Sequence, residues 1–69
     1  MDDVRRAVKT LMLTKGFSQA AIARKANIAP SKLSGILNLR RKMEANEMLA
    51  LCEAMDISIT DLFATDQTA

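Results

Sequence analysis

Residues 17–38 of this 69-residue chain, "FSQAAIARKANIAPSKLSGILN", carry the strongest signal for its fold. It contains two short helical patterns joined by the turn sequence "NIAPS". Ser18 is a favourable N-cap for the first pattern, and Pro30 suits the first turn of the second because it has no N–H to leave unpaired. Ala23 lies near the middle of the first pattern, and Leu33 is placed to anchor the second against it. Two such helices joined by a tight turn predict a helix-turn-helix.

Apolar residues recur at intervals of three and four along the whole chain, and no stretch alternates as a strand does. The sequence therefore predicts an all-α fold of five helices, at residues 2–14, 18–25, 30–38, 45–55 and 58–63. Gly16 is the expected left-handed cap of the first helix, and Ser58 with Asp61 resembles a capping box before the fifth. Residues 64–69 are predicted to fray. Because no repeat or linker interrupts the pattern, we expect a single domain over residues 1–69.

The composition provides poorly for enzymatic chemistry. The chain has no histidine, tryptophan or tyrosine, one cysteine and two glycines. We therefore predict no catalytic residues, no metal site and no cofactor, and we assign Cys52 to the core. A single cysteine excludes an intrachain disulfide, and no apolar run approaches the roughly 20 residues that span a membrane. These features predict a cytoplasmic protein with no membrane partner and no small-molecule ligand.

Charge is segregated along the sequence. Residues 1–42 contain all ten Lys and Arg and only two acids, a balance of +8, whereas residues 43–69 contain six acids and no base. Such an asymmetry favours a polyanion-binding face in the first part of the chain. Arg5, Arg6 and Lys9 fit a solvated helix face better than a contact to a polyanion.

The segments "GFSQAAIARKANIAPSKLSGILN" and "DISITDLF" resemble the phage-repressor/Cro (XRE-like) helix-turn-helix family, in register from about Val4 to Phe63. The resemblance implies a compact five-helix, lambda-repressor-like DNA-binding domain. The chain departs from the family pattern at three places. Asn27, Leu39 and Asp56 stand where the family usually has glycine, so the turns at these positions are expected to be less ideal.

The resemblance also implies the binding residues, because the third helix of the family enters the major groove of double-stranded DNA. The residues expected to face the bases are Ala29, Pro30, Ser31, Ser34 and Gly35. The residues expected to contact the DNA backbone are Ser18, Gln19, Lys32, Asn38, Arg40, Arg41 and Lys42. Only the two serines among the base-facing residues can form hydrogen bonds, which predicts weak direct reading of sequence. A glycine inside a helix costs about 1 kcal/mol against alanine, so Gly35 predicts a close approach to another surface.

Family members usually bind two-fold operators as dimers, and the resemblance implies a transcriptional regulator of this kind, most simply a repressor. The fourth and fifth helices are the expected dimer surface, with Ile59, Leu62 and Phe63 as candidate contacts. These residues could instead close the core of one protomer. The thin base-reading set leaves open another class of function, a protein-interaction module such as an antitoxin or adaptor built on the same fold.

Overall fold

The computed structural model describes the backbone of residues 3–68 and the side chains of residues 3–65. This part of the chain forms five helices and no strand: α1 (Val4–Lys15), α2 (Gln19–Ala26), α3 (Pro30–Leu37), α4 (Ala45–Ala54) and α5 (Ile59–Thr68). The predicted all-α, five-helix fold is confirmed. The boundaries agree with the predicted ones within one or two residues, except at the end of α5.

Side-chain caps begin α1, α2 and α5, and the caps of α2 and α5 are the ones that the sequence predicts. The carboxylate of Asp3 accepts the N–H of Arg5 at the start of α1 (2.9 Å), and the hydroxyl of Ser18 accepts the N–H of Ala21 at the start of α2 (3.2 Å). Before α5, Ser58 and Asp61 form the predicted reciprocal pair, with N···O distances of 3.0 and 3.2 Å. Each cap satisfies backbone donors that a helix start leaves unpaired.

A residue with a left-handed backbone conformation lies within two positions after the end of each of the first four helices. Gly16 has a φ of 73° after α1. Among the described residues, the non-glycine residues with positive φ are Asn27 (57°), Leu39 (61°) and Asp56 (56°). These are the three positions at which the chain departs from the family's glycines. Because a side chain in this conformation costs roughly 1–2 kcal/mol, least for Asn and Asp, these three turns lower the stability of the fold to some extent.

The core lies where all five helices meet. α1 packs against α5, α2 against α4, and α3 rests on α2 and α1. The fully or nearly fully buried apolar residues are Ala7, Val8, Met12, Ile22, Ala23, Ala26, Ile28, Leu33, Ile36, Leu37, Leu51, Cys52, Met55 and Leu62. Burial raises the pKa of the Cys52 thiol, which therefore stays protonated and acts as a small apolar side chain.

The fifth helix is longer than predicted. It continues through Thr68 instead of ending at Phe63, and the hydroxyl of Thr65 donates to the carbonyl oxygen of Asp61 within it (3.1 Å). The polar composition of residues 64–69 suggested a frayed tail, but no glycine or proline stands there to stop a helix. Residue 69 lies outside the described residues. In the part of the chain that the structure describes, no helix is long and apolar enough to cross a membrane.

Candidate nucleic-acid interface

Helix α3 presents a polar face opposite its buried one. Leu33, Ile36 and Leu37 are buried against the other helices. Ser31 is exposed and Ser34 is half-buried on the other side, three residues apart and therefore neighbours on the helix surface. This face leaves only short, neutral side chains next to whatever approaches α3.

The start of α3 is also open to solvent. Ala29 and Pro30 are exposed, and Ala29 makes no side-chain cap to the helix. Pro30 occupies the first turn, as predicted, where its missing N–H costs nothing. The backbone at this end can therefore come close to a flat or grooved partner without a bulky side chain between them.

Gly35 has a different neighbour from the one expected of a base-facing residue. A methyl group built on its α-carbon would lie 3.4 Å from Cβ of Arg41, in the segment after α3. The carbonyl oxygen of Gly35 also accepts two backbone N–H groups, from Arg40 (2.8 Å) and Arg41 (3.2 Å). The close approach predicted from this glycine is therefore made to the protein's own chain. Gly35 is half-buried and a side chain there would point toward Arg41, so its contact to a base stays a prediction.

The basic loop, defined here as Arg40, Arg41 and Lys42, follows α3 directly, and all three residues are exposed. Its backbone folds back on α3 through the two hydrogen bonds to Gly35. Lys42 also faces Glu44 at 3.9 Å between Nζ and Oε1, in a pair that is too exposed to contribute much. The loop thus holds three positive charges beside the polar face of α3.

Asn38 lies between the polar face and the basic loop. It is exposed, but its amide nitrogen already donates to the carbonyl oxygen of Ser34 (2.9 Å) and lies 3.4 Å from the Ser34 hydroxyl. Asn38 therefore caps the end of α3 and keeps the Ser34 side chain in place. Any contact it makes to a phosphate would use its remaining N–H.

Lys32 is paired inside the protein instead of standing free on the flank of α3. Its Nζ lies 2.6 Å from Oε2 of Glu47, whose side chain is only 9% exposed. The other oxygen of Glu47 accepts the backbone N–H of Glu44 at the start of α4 (2.9 Å). These two hydrogen bonds, the one from Lys32 first, lower the pKa of the Glu47 carboxyl. Lys32 therefore joins α3 to α4, a role that sequence reasoning missed because Glu47 reads as a surface residue.

At the start of α2, the two predicted backbone-contacting residues have different environments. Ser18 is exposed, but its hydroxyl oxygen is used as the N-cap. Gln19 is exposed as the first residue of α2, with its side chain available at the positive end of the helix. Gln19 is therefore the better placed of the two to donate to a phosphate.

Arg5 reaches the basic loop from α1, which the sequence did not predict. Its Nη1 donates to the carbonyl oxygen of Arg41 (2.9 Å), while Nε and Nη2 bind the two carboxylate oxygens of Asp3. The hydrogen bonds from Arg5 lower the pKa of the Asp3 carboxyl to about 2. The short spacing "DxR" could have indicated the pair between Asp3 and Arg5. The contact between Arg5 and Arg41 joins residues 36 positions apart, so no local pattern indicates it.

One residue of the predicted dimer surface is placed differently by the structure. Leu62 is fully buried inside the protomer, so it cannot contact a second copy, and its assignment to a dimer interface was wrong. Ile59 is half-buried, and Phe63 is 44% exposed. Among the side chains that the structure describes, the other large apolar ones that stay exposed are Leu49 on α4 (55%) and Leu13 on α1 (73%).

These features define a helix-turn-helix whose second helix, α3, has an exposed polar face with the basic loop beside it. A family model for the Cro/C1-type HTH DNA-binding domain matches residues 7–67, and the chain belongs to this family. The resemblance found in the sequence is thereby confirmed. None of the curated protein sequences compared with the chain matches it.

Solved structures of gene regulators share the fold. The restriction-modification controller protein C.AhdI from Aeromonas hydrophila is 27% identical, with a TM-score of 0.79 over 87% of this chain and 91% of that one. The controller protein C.Esp1396I, solved on a 19 base pair DNA duplex, is 23% identical, with a TM-score of 0.87 over 94% and 87%. The clp gene regulator ClgR from Corynebacterium glutamicum is 18% identical, with a TM-score of 0.86 over 94% and 84%. The structures of C.Esp1396I and ClgR are similar to this chain in fold alone.

Proposed function

We propose that this protein is a transcriptional regulator that binds double-stranded DNA as a homodimer, with α3 in the major groove, and acts most simply as a repressor. The observation that carries the proposal is the polar face of α3 with the exposed basic loop directly after it. In this family such a helix lies against base edges, and the residues that follow it lie near the DNA backbone. Membership of the Cro/C1-type family supports the same assignment.

Phosphate contacts are proposed to supply most of the affinity. Arg40 and Arg41 provide charge-assisted donors in the basic loop, and Gln19 adds a neutral donor at the start of α2. Lys32 is left out of the revised set because it is paired with Glu47 at 2.6 Å. The three cations of the basic loop would neutralise roughly six phosphates per dimer, so the affinity should fall about a thousandfold between 50 and 200 mM salt.

Direct recognition of base edges is proposed to depend on only a few side chains of α3. Ser31 and Ser34 offer hydroxyls that donate and accept, and serine distinguishes bases poorly. Ala29 and Pro30 are exposed at the start of α3, where they can meet thymine methyl groups. Sequence preference should therefore depend strongly on the shape and deformability of the DNA.

Dimerisation is proposed to use the exposed apolar side chains of α4 and α5. Phe63 and Leu49 are 44% and 55% exposed, and Ile59 is half-buried at the start of α5. The acidic balance of residues 43–69 suits a surface turned away from DNA. Two copies joined there would present two α3 helices to half-sites about 34 Å apart.

The setting of this regulation is also a proposal. C.AhdI, with 27% identity, is a restriction-modification controller protein, so control of a restriction-modification system is one context for this chain. C.Esp1396I, which shares the fold, has been solved bound to duplex DNA. We propose that the protein acts in the cytoplasm, where its DNA target would lie in a bacterial or phage setting.

Fluorescence anisotropy with a labelled 30 base pair duplex, titrated at several salt concentrations, tests the proposal. We expect tight binding at 50 mM salt and a steep linear loss in a plot of log affinity against log salt. Arg40→Ala with Arg41→Ala should weaken binding to every duplex and flatten the slope. The matched control is Arg6→Ala with Lys9→Ala, which removes two exposed charges from α1 and should leave the slope nearly unchanged. Salt-insensitive binding, or none at 50 mM salt, would overturn the proposal.

Analytical ultracentrifugation tests the dimer separately from DNA binding. Phe63→Asp places a charge on the proposed surface and should yield monomers at concentrations where the unaltered protein is dimeric. Leu13→Asp is the control, because Leu13 is exposed on α1, outside the proposed surface. A dimer that survives Phe63→Asp and dissociates on Leu13→Asp would place the interface elsewhere.

The alternative function is a protein-interaction module, and the small base-reading set favours it. In that case the protein should bind a stoichiometric protein partner, and this binding should persist when Ser31, Ser34 and Arg40 are replaced. Co-purification of such a partner with both the unaltered and the substituted protein, together with absence of duplex binding, would favour the alternative.

A further inference from the structure

We propose that Asp3 and Arg5 are positioning residues that fix the basic loop for DNA binding from the far end of the chain. This inference rests on the proposed function, in which the loop contacts phosphates. The link begins at Asp3, whose carboxylate holds the Nε and Nη2 sides of the Arg5 guanidinium. The remaining side of the guanidinium donates through Nη1 to the carbonyl oxygen of Arg41 at 2.9 Å.

The backbone of Arg41 is held at both ends of the residue. Its N–H donates to the carbonyl oxygen of Gly35 (3.2 Å), and its own carbonyl oxygen accepts from Arg5. The N–H of Arg40 donates to the same Gly35 oxygen (2.8 Å). The Arg41 side chain lies beside Gly35, where a Cβ would be 3.4 Å from the Cβ of Arg41. The loop is therefore fixed on one side by α3 and on the other by α1.

Such a clamp counters the repulsion among neighbouring charges. Arg40, Arg41 and Lys42 are consecutive and exposed, and Arg5 adds a fourth positive charge beside them. Asp3 neutralises Arg5 and orients its fork, so that one N–H points at a backbone carbonyl. An ordered loop loses less conformational entropy when it binds phosphates, which raises affinity without any additional phosphate contact.

The direction in which Asp3→Asn changes DNA affinity separates this positioning role from a simple charge effect. Removing the negative charge of Asp3 near a polyanion should tighten DNA binding if only Coulomb forces act. If Asp3 positions the loop through Arg5, Asp3→Asn should instead weaken binding, by about two- to tenfold per protomer because the free loop is less ordered. Asparagine keeps an oxygen that can cap α1, so the helix start is preserved. Arg5→Lys keeps the positive charge but removes the fork and should weaken binding similarly.

The experiment measures duplex affinity and its salt slope for Asp3→Asn, Arg5→Lys and a control, Glu44→Gln, well below their melting temperatures. Glu44 is an exposed acid beside Lys42 and lies outside the clamp, so its replacement should leave affinity equal or higher. We expect both clamp variants to bind more weakly and to flatten the slope by about 1 for each phosphate that the loop no longer reaches. The effect of Asp3→Asn should largely disappear when Arg40→Ala and Arg41→Ala are already present, since the loop then has little left to position.

Amide hydrogen exchange of the free protein provides a readout that does not depend on DNA. The N–H groups of Arg40 and Arg41 should exchange faster in Asp3→Asn and Arg5→Lys than in the unaltered protein, while Leu33 and Ile36 in α3 should not change. Tighter binding by Asp3→Asn with an unchanged slope, or unchanged exchange at Arg40 and Arg41, would overturn the clamp. Failure of the unaltered protein to bind any duplex would overturn the proposed function instead, and exchange would still decide the clamp.

Discussion

The ion pair between Glu47 and Lys32 joins α4 to α3, and removing it should lower the stability of the fold. Glu47→Gln removes the ion pair, whose atoms lie 2.6 Å apart, but glutamine can still accept the N–H of Glu44. The Lys32 side chain is 39% exposed, so it can turn toward water, and we expect a loss of only about 1 kcal/mol. Glu47→Ala removes the capping hydrogen bond as well, and the total loss should reach about 2 kcal/mol.

Thermal unfolding followed by circular dichroism at 222 nm measures both losses. In a domain of this size, 1 kcal/mol corresponds to about 4–8 °C in Tm, so the two variants should be clearly resolved. Glu53→Gln is the matched control, because Glu53 is an exposed acid on the same helix and should change Tm little. A Glu47→Gln variant as stable as the unaltered protein at pH 7 would show that the buried pair contributes nothing net.

The pH dependence checks the same pair in a second way. The pKa of Glu47 is lowered in the folded protein, chiefly by the hydrogen bond from Lys32. Its contribution is therefore fully present above the carboxyl pKa of the unfolded chain, about 4.3, and is lost as the pH falls through the lower folded pKa. The stability gap between the unaltered protein and Glu47→Gln should shrink on acidification from pH 7 to below 4. A gap that stays constant across this range would show that the ionised Glu47 carboxylate adds no stability to the folded protein.

Three further substitutions test the packing and the turns. Leu33→Ala, at a position with no exposed surface, should cost about 2–5 kcal/mol and visibly reduce the helical circular dichroism signal at 37 °C. Gly35→Ala should raise the free energy of unfolding by up to about 1 kcal/mol, since the new methyl group lies at ordinary contact distance from Arg41, and should change duplex affinity by less than about twofold in anisotropy titrations. Asp56→Gly should raise stability in urea unfolding by about 0.5–1 kcal/mol, because Asp56 has a φ of 56° and glycine adopts it without strain.

Local features of the fold could be predicted from the sequence because their causes are local. Ser18, Gly16 and the Ser58–Asp61 pair mark helix ends through hydrogen bonds and backbone angles that involve residues within a few positions of one another. The register of the family resemblance marked Asn27, Leu39 and Asp56 as turn positions without glycine, and the structure shows that all three have positive φ. The end of α5 was missed because polar composition alone does not stop a helix.

Long-range contacts of the candidate interface could not be predicted in the same way. From the sequence alone, Lys32 is predicted to contact a phosphate and Glu47 to be a solvated acid. The structure instead pairs the two residues with each other. The contact between Arg5 and the carbonyl oxygen of Arg41 has no sequence signature, since any side chain at position 41 offers the same carbonyl. For Leu62, an apolar position on a helix fits a core and a dimer surface equally well, and only its complete burial decides between them.

We propose that the basic loop supplies most of the DNA affinity and that the serines of α3 supply the sequence preference. The most direct measurement compares Kd for a duplex selected from a random library with Kd for a scrambled duplex at fixed salt. Arg40→Ala with Arg41→Ala should raise both Kd values by the same factor and leave their ratio unchanged. Ser31→Ala with Ser34→Ala should mainly reduce the ratio. An equal loss on both duplexes from both pairs of substitutions would contradict the claim.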